Sequence, residues 1–179
     1  DQFFIQDGGH NYMFWGSFHG IYGIELSEDG LSIKPGAEKV QIAGRQMEGT
    51  YIHKRGKYYY LFGSAGSCCE GLRSTYRVIY GRSENLFGPY VTKNGQRMLD
   101  GAYETMLSGN NFFAGPGHNA EFITDDEGND WMLYHAFEKK DPDNGRQVLL
   151  DRIQWANDWP FVQGAGPSFL NEAPVFKNQ

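Results

Sequence analysis

Long apolar runs are missing from this chain. No stretch of about 18 apolar residues occurs among its 179 residues, so no membrane-spanning helix is expected. A secretory leader pattern is not visible either. Cysteine is nearly absent, with only the adjacent pair Cys68 and Cys69. Two neighbours cannot staple distant segments, so no disulfide framework holds the fold. The pair reads first as two thiols in a loop and second as a vicinal disulfide. A catalytic cysteine is the weakest reading, because no His and Asn partners pair with it by spacing. Basic charge is not in excess: the formal net charge is -6, which argues against a nucleic-acid partner. It leaves room for a neutral ligand such as a glycan. Helical periodicity is also nearly absent.

Aromatics and glycine are plentiful instead. Apolar residues make up 40% and aromatics 16% of the chain, alongside 24 glycines, which marks a globular domain rather than a disordered one. Aromatic residues fit pleated surfaces and glycines mark turns. Short runs alternate with turn signals. The expected strands are Gln2–Ile5, Tyr12–Phe18, Tyr22–Leu26, Val40–Ala43, Tyr51–His53, Tyr58–Gly63, Tyr76–Ser83, Tyr90–Val91, Asn119–Thr124, Trp131–Ala136, Gln147–Gln154 and Pro160–Val162. Turns fall at Asp7-Gly-Gly9, Glu28-Asp-Gly30, Arg55-Gly56, Lys93-Asn-Gly95 and Asp126-Glu-Gly128. The fold class is all-β.

A loose repeat lies over these strands. Tyr12-Met-Phe-Trp-Gly-Ser-Phe18, Tyr58-Tyr-Tyr-Leu-Phe-Gly-Ser64 and Trp131-Met-Leu-Tyr-His-Ala-Phe137 each precede a second strand. Radial repetition of this kind is how propellers avoid long exposed edges, although a sandwich tolerates such strands too. The aromatic strands are spaced by 46 and 73 residues, so an insertion is expected near Asp100 to Gly117. About three blades fit, whereas a closed ring takes about four to eight. The chain also opens inside an apolar run, Phe3-Phe-Ile5. A single partial β-propeller domain over 1–179 is therefore expected.

Several residues are candidates for chemistry. Glu48 precedes the hairpin Tyr51–Phe62 and is followed by a glycine. Bulky strand residues behind a carboxyl desolvate it, which favours the protonated form and suits a proton donor. A surface glutamate on a loop is the plain alternative. Gly115-Pro-Gly-His-Asn119 reads as a tight turn delivering His118, either a hydrogen-bonded structural residue or a ligand for a metal, directly or through water. No second ligand lies at metal-binding spacing, so a closed zinc site is not expected. Arg146 follows Asp143-Asn-Gly145 and opens a strand, either as an edge charge or as a fork of donors for a ligand's hydroxyls. Trp15, Phe18, His19, Tyr51 and Trp131 are candidate apolar platforms for sugar rings, though most such aromatics pack in cores. Asp125-Asp-Glu-Gly-Asn-Asp130 lacks the spacing of an EF-hand loop and reads as a solvated hairpin tip. Gly63-Ser-Ala-Gly-Ser67 is not followed by a helix and is no nucleophile elbow.

Together, Glu48-Gly-Thr-Tyr ahead of Lys57-Tyr-Tyr-Tyr-Leu-Phe, Ser67-Cys-Cys-Glu-Gly-Leu-Arg-Ser-Thr-Tyr76, Gly81-Arg-Ser-Glu-Asn-Leu-Phe-Gly-Pro-Tyr90, Gly115-Pro-Gly-His118 and Trp131-Met-Leu-Tyr-His-Ala136 resemble the family-43 glycoside hydrolases. The branch most similar is the arabinan endo-1,5-α-L-arabinosidases, over about residues 3 to 162. The resemblance implies a five-bladed β-propeller, of which this chain is the C-terminal part, and hydrolysis with inversion. It implies Glu48 as general acid and His118 as a residue holding Ca2+ (or Na+) mostly through water. It further implies that Arg146 contacts sugar hydroxyls and that Ser17-Phe18 line the cleft. Asp1 lies about one residue from the place of the family's pKa-tuning acid and is the candidate for it. The general base is not matched in this chain. Relatives of this kind act outside the cell, so a secreted or periplasmic location is implied.

The resulting expectation is a glycosidase acting on arabinan- or xylan-type polysaccharides, with an oligo- or polysaccharide partner and neither nucleic acid nor membrane. An acid without a base cannot run an inverting mechanism. The isolated chain is accordingly expected to be inactive unless a second chain completes the propeller. The alternatives are a non-catalytic carbohydrate-binding or self-assembling propeller fragment and a plain scaffold.

Overall fold

The computed structural model describes residues 1–177 and is built of three sheets and short 3-10 turns. The first sheet runs β1 (Gln2–Asp7), β2 (His10–Trp15), β3 (Ile21–Glu25) and β4 (Val40–Ala43), all antiparallel and in chain order. A two-residue turn at Gly8-Gly9, both with positive φ, joins β1 to β2. Its backbone twist matches that of the paired strands. The second sheet is β5 (Glu48–Arg55), β6 (Tyr58–Ala65), β7 (Arg77–Ser83) and β8 (Glu104–Leu107), again in chain order. The third contains β10 (Ile123–Thr124), β11 (Asp130–Glu138), β12 (Arg146–Ala156) and β13 (Trp159–Val162). In it β9 (Phe113–Gly117) also pairs with β11.

The chain divides into two compact units, residues 1–63 with 80–104 and residues 64–79 with 105–179. In the first, Phe14, Ile21, Ile42, Met47, Ile52, Leu61 and Phe62 form a dry core. Phe62 stacks on Tyr80 at 5.3 Å and on Tyr51 at 6.0 Å. Burying each such side chain contributes about 1.5–3 kcal/mol. In the second, Trp131, Met132, Tyr134, Ala136 and Ile153 are buried, on strands that alternate faces only in part.

Several expectations are corrected. The segment Asp100 to Gly117 is no insertion: it holds β8 and β9. Neither strand carries the aromatic alternation that marks the others. The expected strand Asn119–Thr124 shrinks to Ile123–Thr124, because the positive φ of His118 (51°) ends the extended run that began at Phe113. The expected strand at Tyr90–Val91 is reduced to isolated bridges from Val91 to Arg82 and to Arg97. Tyr51 and Trp131 are core residues, 5% and 2% exposed, and are no sugar platforms.

Asp125 is not a solvated tip residue. It is buried, and its carboxylate accepts from the Glu127 and Asn129 backbone N–H groups, the Asn129 amide and the Trp131 indole N–H. Burial alone would raise its pKa; the hydrogen bonds from Asn129 and Trp131 outweigh it and hold the carboxyl well below the usual range. The backbone of residues 166–177 then crosses the second unit. Val175 N–H donates to Asp125, and the Ser168 N–H and Asn171 amide donate to buried Asp151, which also accepts from the Tyr134 hydroxyl.

Candidate active site

The first unit presents a carboxyl group at the start of a strand. Glu48 opens β5, partly buried, with buried Gly49 and Thr50 behind it. β2 ends at Trp15, and the loop that follows brings Ser17 to Glu48: the Ser17 hydroxyl donates to Oε2 at 2.9 Å. The next residue, Phe18, donates its backbone N–H to the Met47 carbonyl at 2.9 Å. Asp1 reaches the same place from the other side. Its carboxylate accepts from the Gly49 N–H at 3.1 Å, and its carbonyl accepts from Gly16 N–H at 3.4 Å. A carboxylate oxygen of Asp1 lies within 4.8 Å of one of Glu48. The two acids are therefore neighbours. They stand closer than the about 6.5–9.5 Å that separates the acid and base of inverting glycosidases.

Of the other residues singled out in this unit, Phe18 is 36% exposed and His19 is exposed. Trp15 is partly buried and lies beside Tyr22, ring centroids 6.4 Å apart. All three sit on or next to the loop that carries Ser17.

The second unit holds His118 and Arg146. His118 follows β9, and its left-handed backbone is pinned by an N–H donated to the Ser64 hydroxyl at 2.7 Å. Its Nδ1 lies 3.4 Å from the Tyr76 hydroxyl. Between His118 and Arg146 stands His135 of β11. Its ring stacks on Tyr76 (5.9 Å) and on His118 (6.5 Å), and its Nε2 lies 3.5 Å from Arg146 Nη1. The permanently charged guanidinium can only donate, so Nε2 accepts and the ring proton sits on Nδ1. That atom is buried and has no hydrogen-bond partner among the described residues. Burial, the Arg146 charge and His118 together push the His135 pKa down to about 4. Arg146 Nη1 also lies 3.9 Å from Cys69 Sγ.

His135 and Tyr76 are the site residues that the sequence did not single out. Both were hidden inside aromatic strand patterns that read as core, and Tyr76 is indeed 1% exposed. The cysteines correct the first reading of free thiols, since the loop after β6 brings the two sulfurs into a disulfide, Cys68–Cys69.

The first unit thus carries a loop-clamped carboxyl pair, and the second an arginine and histidine cluster, each set on sheets of short strands. Residues 1–160 match the family model described as Glycosyl hydrolases family 43, and the chain belongs to that family. It is 34% identical over 160 residues to the extracellular endo-alpha-(1->5)-L-arabinanase 1 of Bacillus subtilis (strain 168), covering 85% of this chain and 46% of that protein. It is 37% identical over 123 residues to the extracellular exo-alpha-(1->5)-L-arabinofuranosidase ArbA of Cellvibrio japonicus, covering 68% and 35%. Among solved structures, the alpha-L-arabinanase of Cellvibrio cellulosa superposes with a TM-score of 0.84 at 30% identity, covering 96% of this chain and 60% of that one. The same arabinanase complexed with arabinohexaose gives 0.82 at 32% identity, covering 89% and 55%. The chain thus spans about half the length of the relatives it matches. Its three sheets are blades of the family's β-propeller.

Proposed function

We propose that the protein hydrolyses α-1,5-linked arabinan outside the cell, with Glu48 as general acid. The observation that carries this reading is the Glu48 carboxyl held at a strand start by the Ser17 hydroxyl, with the Asp1 carboxylate beside it. Support for the substrate comes from the relatives, which are named for arabinan linkages and two of which are named extracellular. A neighbour is titled as a complex with arabinohexaose.

In the reaction, the Glu48 carboxyl gives its proton to the glycosidic oxygen. The C–O bond breaks and its electron pair leaves with that oxygen. A water oxygen attacks the anomeric carbon from the opposite face and loses a proton to a base. Asp1, too close to Glu48 to be that base, stands beside the acid and is held there by the Gly49 N–H. The base is not assigned to a residue of this chain. Arg146 contributes fixed donors for sugar hydroxyls, while Trp15, Phe18 and His19 offer apolar and polar surface to the ring.

His118 offers one imidazole to an ion. Hard cations such as Ca2+ take six to eight oxygens, so this donor fits an ion held mainly through its waters. Such an ion would supply positive charge beside His118.

Glu48→Gln in the full-length protein tests the reading. Loss of positioned general acid catalysis costs about 10²–10⁴-fold in kcat. The expected result is that loss on debranched arabinan, read as reducing sugar, with arabino-oligosaccharide binding by calorimetry retained. Turnover unchanged in this variant overturns the assignment of Glu48. Sugar binding without turnover in the unsubstituted full-length protein would favour a carbohydrate-binding module instead.

A further inference from the structure

The loop Trp15-Gly-Ser-Phe-His19 is held in an unfavourable shape. Phe18 has φ +51°, a region that a bulky L-residue rarely enters. Such backbone strain persists only where surrounding contacts over-determine it, and it clusters at functional sites. The contacts here are specific. Phe18 N–H donates to the carbonyl of Met47, the residue before Glu48. Asp1 accepts from Gly16 N–H and from Gly49 N–H, the residue after Glu48. The loop is therefore tied to both flanks of the acid, and it directs the Ser17 hydroxyl at the carboxyl, 2.9 Å from Oε2.

We propose that Ser17 is a positioning residue for Glu48, fixing the carboxyl rotamer from which the proton is delivered, rather than a contact to sugar. A glutamate has three side-chain torsions, and a carboxyl free to rotate spends little time aimed at the glycosidic oxygen. A hydroxyl bond at one oxygen narrows the torsions the group can adopt. Misplacement of such a group by about 1 Å can cost about 10²-fold. The inference rests on the reading of Glu48 as general acid, and the test separates the two.

The test is Ser17→Ala in the full-length protein, assayed on phenyl and 4-nitrophenyl glycosides of α-1,5-arabinotriose. A 4-nitrophenolate leaves without protonation; a phenolate needs it far more. The expected result is a loss of about tenfold in kcat on the phenyl substrate, a part of the about 10²–10⁴-fold that acid catalysis supplies. On the 4-nitrophenyl substrate the expected loss is about twofold or less. KM should stay nearly constant, and Ser17→Thr, which keeps the hydroxyl, should restore most of the phenyl rate. An equal kcat loss on both substrates would mean a structural role and overturn the inference. A raised KM with unchanged kcat would make Ser17 a sugar contact and overturn it equally. Should the alanine variant not fold, Ser17→Cys, with a similar size and a much weaker donor, is read the same way. Glu48→Gln run in parallel on the same two glycosides shows whether Glu48 is the acid at all. If that variant keeps full phenyl turnover, the functional reading falls first, whatever Ser17 does.

Discussion

His135 shows what a single ring contributes at this site. Its Nε2 accepts from Arg146, its faces lie against Tyr76 and His118, and its buried Nδ1–H has no partner among the described residues. Leaving a buried donor unmet costs about 1–3 kcal/mol. The cost is borne where a neutral acceptor is wanted for an arginine. The unfolded chain takes up this proton near pH 6.5 and the folded one only near 4. Between those values the unfolded state binds more protons, so stability falls as pH drops from about 6.5 toward 4. The slope is at most about 1.4 kcal/mol per pH unit, and less here because solvent screens a partly exposed ring. Denaturant unfolding at pH 7 and pH 4.5 should show His135→Gln losing less stability over that interval than the unsubstituted chain. An identical loss in both would remove His135 as the source.

At the scale of elements, β9 shows how a strand built mostly of glycine, alanine and proline serves a site. Gly117 pairs with His135 across the β9–β11 ladder, and a Cβ built on it would lie 2.0 Å from the Tyr76 ring. The ring occupies the space a side chain would need, so Gly117 is required by packing rather than by backbone conformation. Gly117→Ala is expected to destabilise the protein by about 1–3 kcal/mol through overpacking. It should also displace His118, the adjacent residue. Chemical denaturation measures the first effect, and the His118 ring resonances in NMR measure the second. The hairpins were legible because each pairs an aromatic strand with a glycine turn, as at Tyr58–Ala65 after Gly56. β9 was not legible, since Phe113-Ala-Gly-Pro-Gly117 carries turn residues in a strand held by its partner. Glu48 and Arg146 stood out as charges at strand starts. His135 did not, because one polar residue in an apolar strand reads as core until its neighbours across the sheet are known.

Across the whole molecule, the family match ends at residue 160, yet the structure does not. Residues 166–177 lie over the second unit and supply N–H groups to two buried carboxylates, Asp125 and Asp151, while Phe169 lies against Phe112 and Phe113. The repeat pattern that revealed the blades gave no hint of this, because the strap has no period and no strand. Its sequence, Gly166-Pro-Ser-Phe-Leu-Asn-Glu172, resembles a linker. A polypeptide ended at Ala165, five residues past the family boundary, would keep every strand of the third sheet but leave both acids without these donors. Thermal unfolding of a chain ended at Ala165 should show a midpoint lower by about 5 °C or more. An unchanged midpoint would reduce the strap to decoration. The practical corollary is that homology marks where the ancestral pattern stops, whereas the native perimeter of this blade is drawn by whichever main-chain amides its hidden anions require.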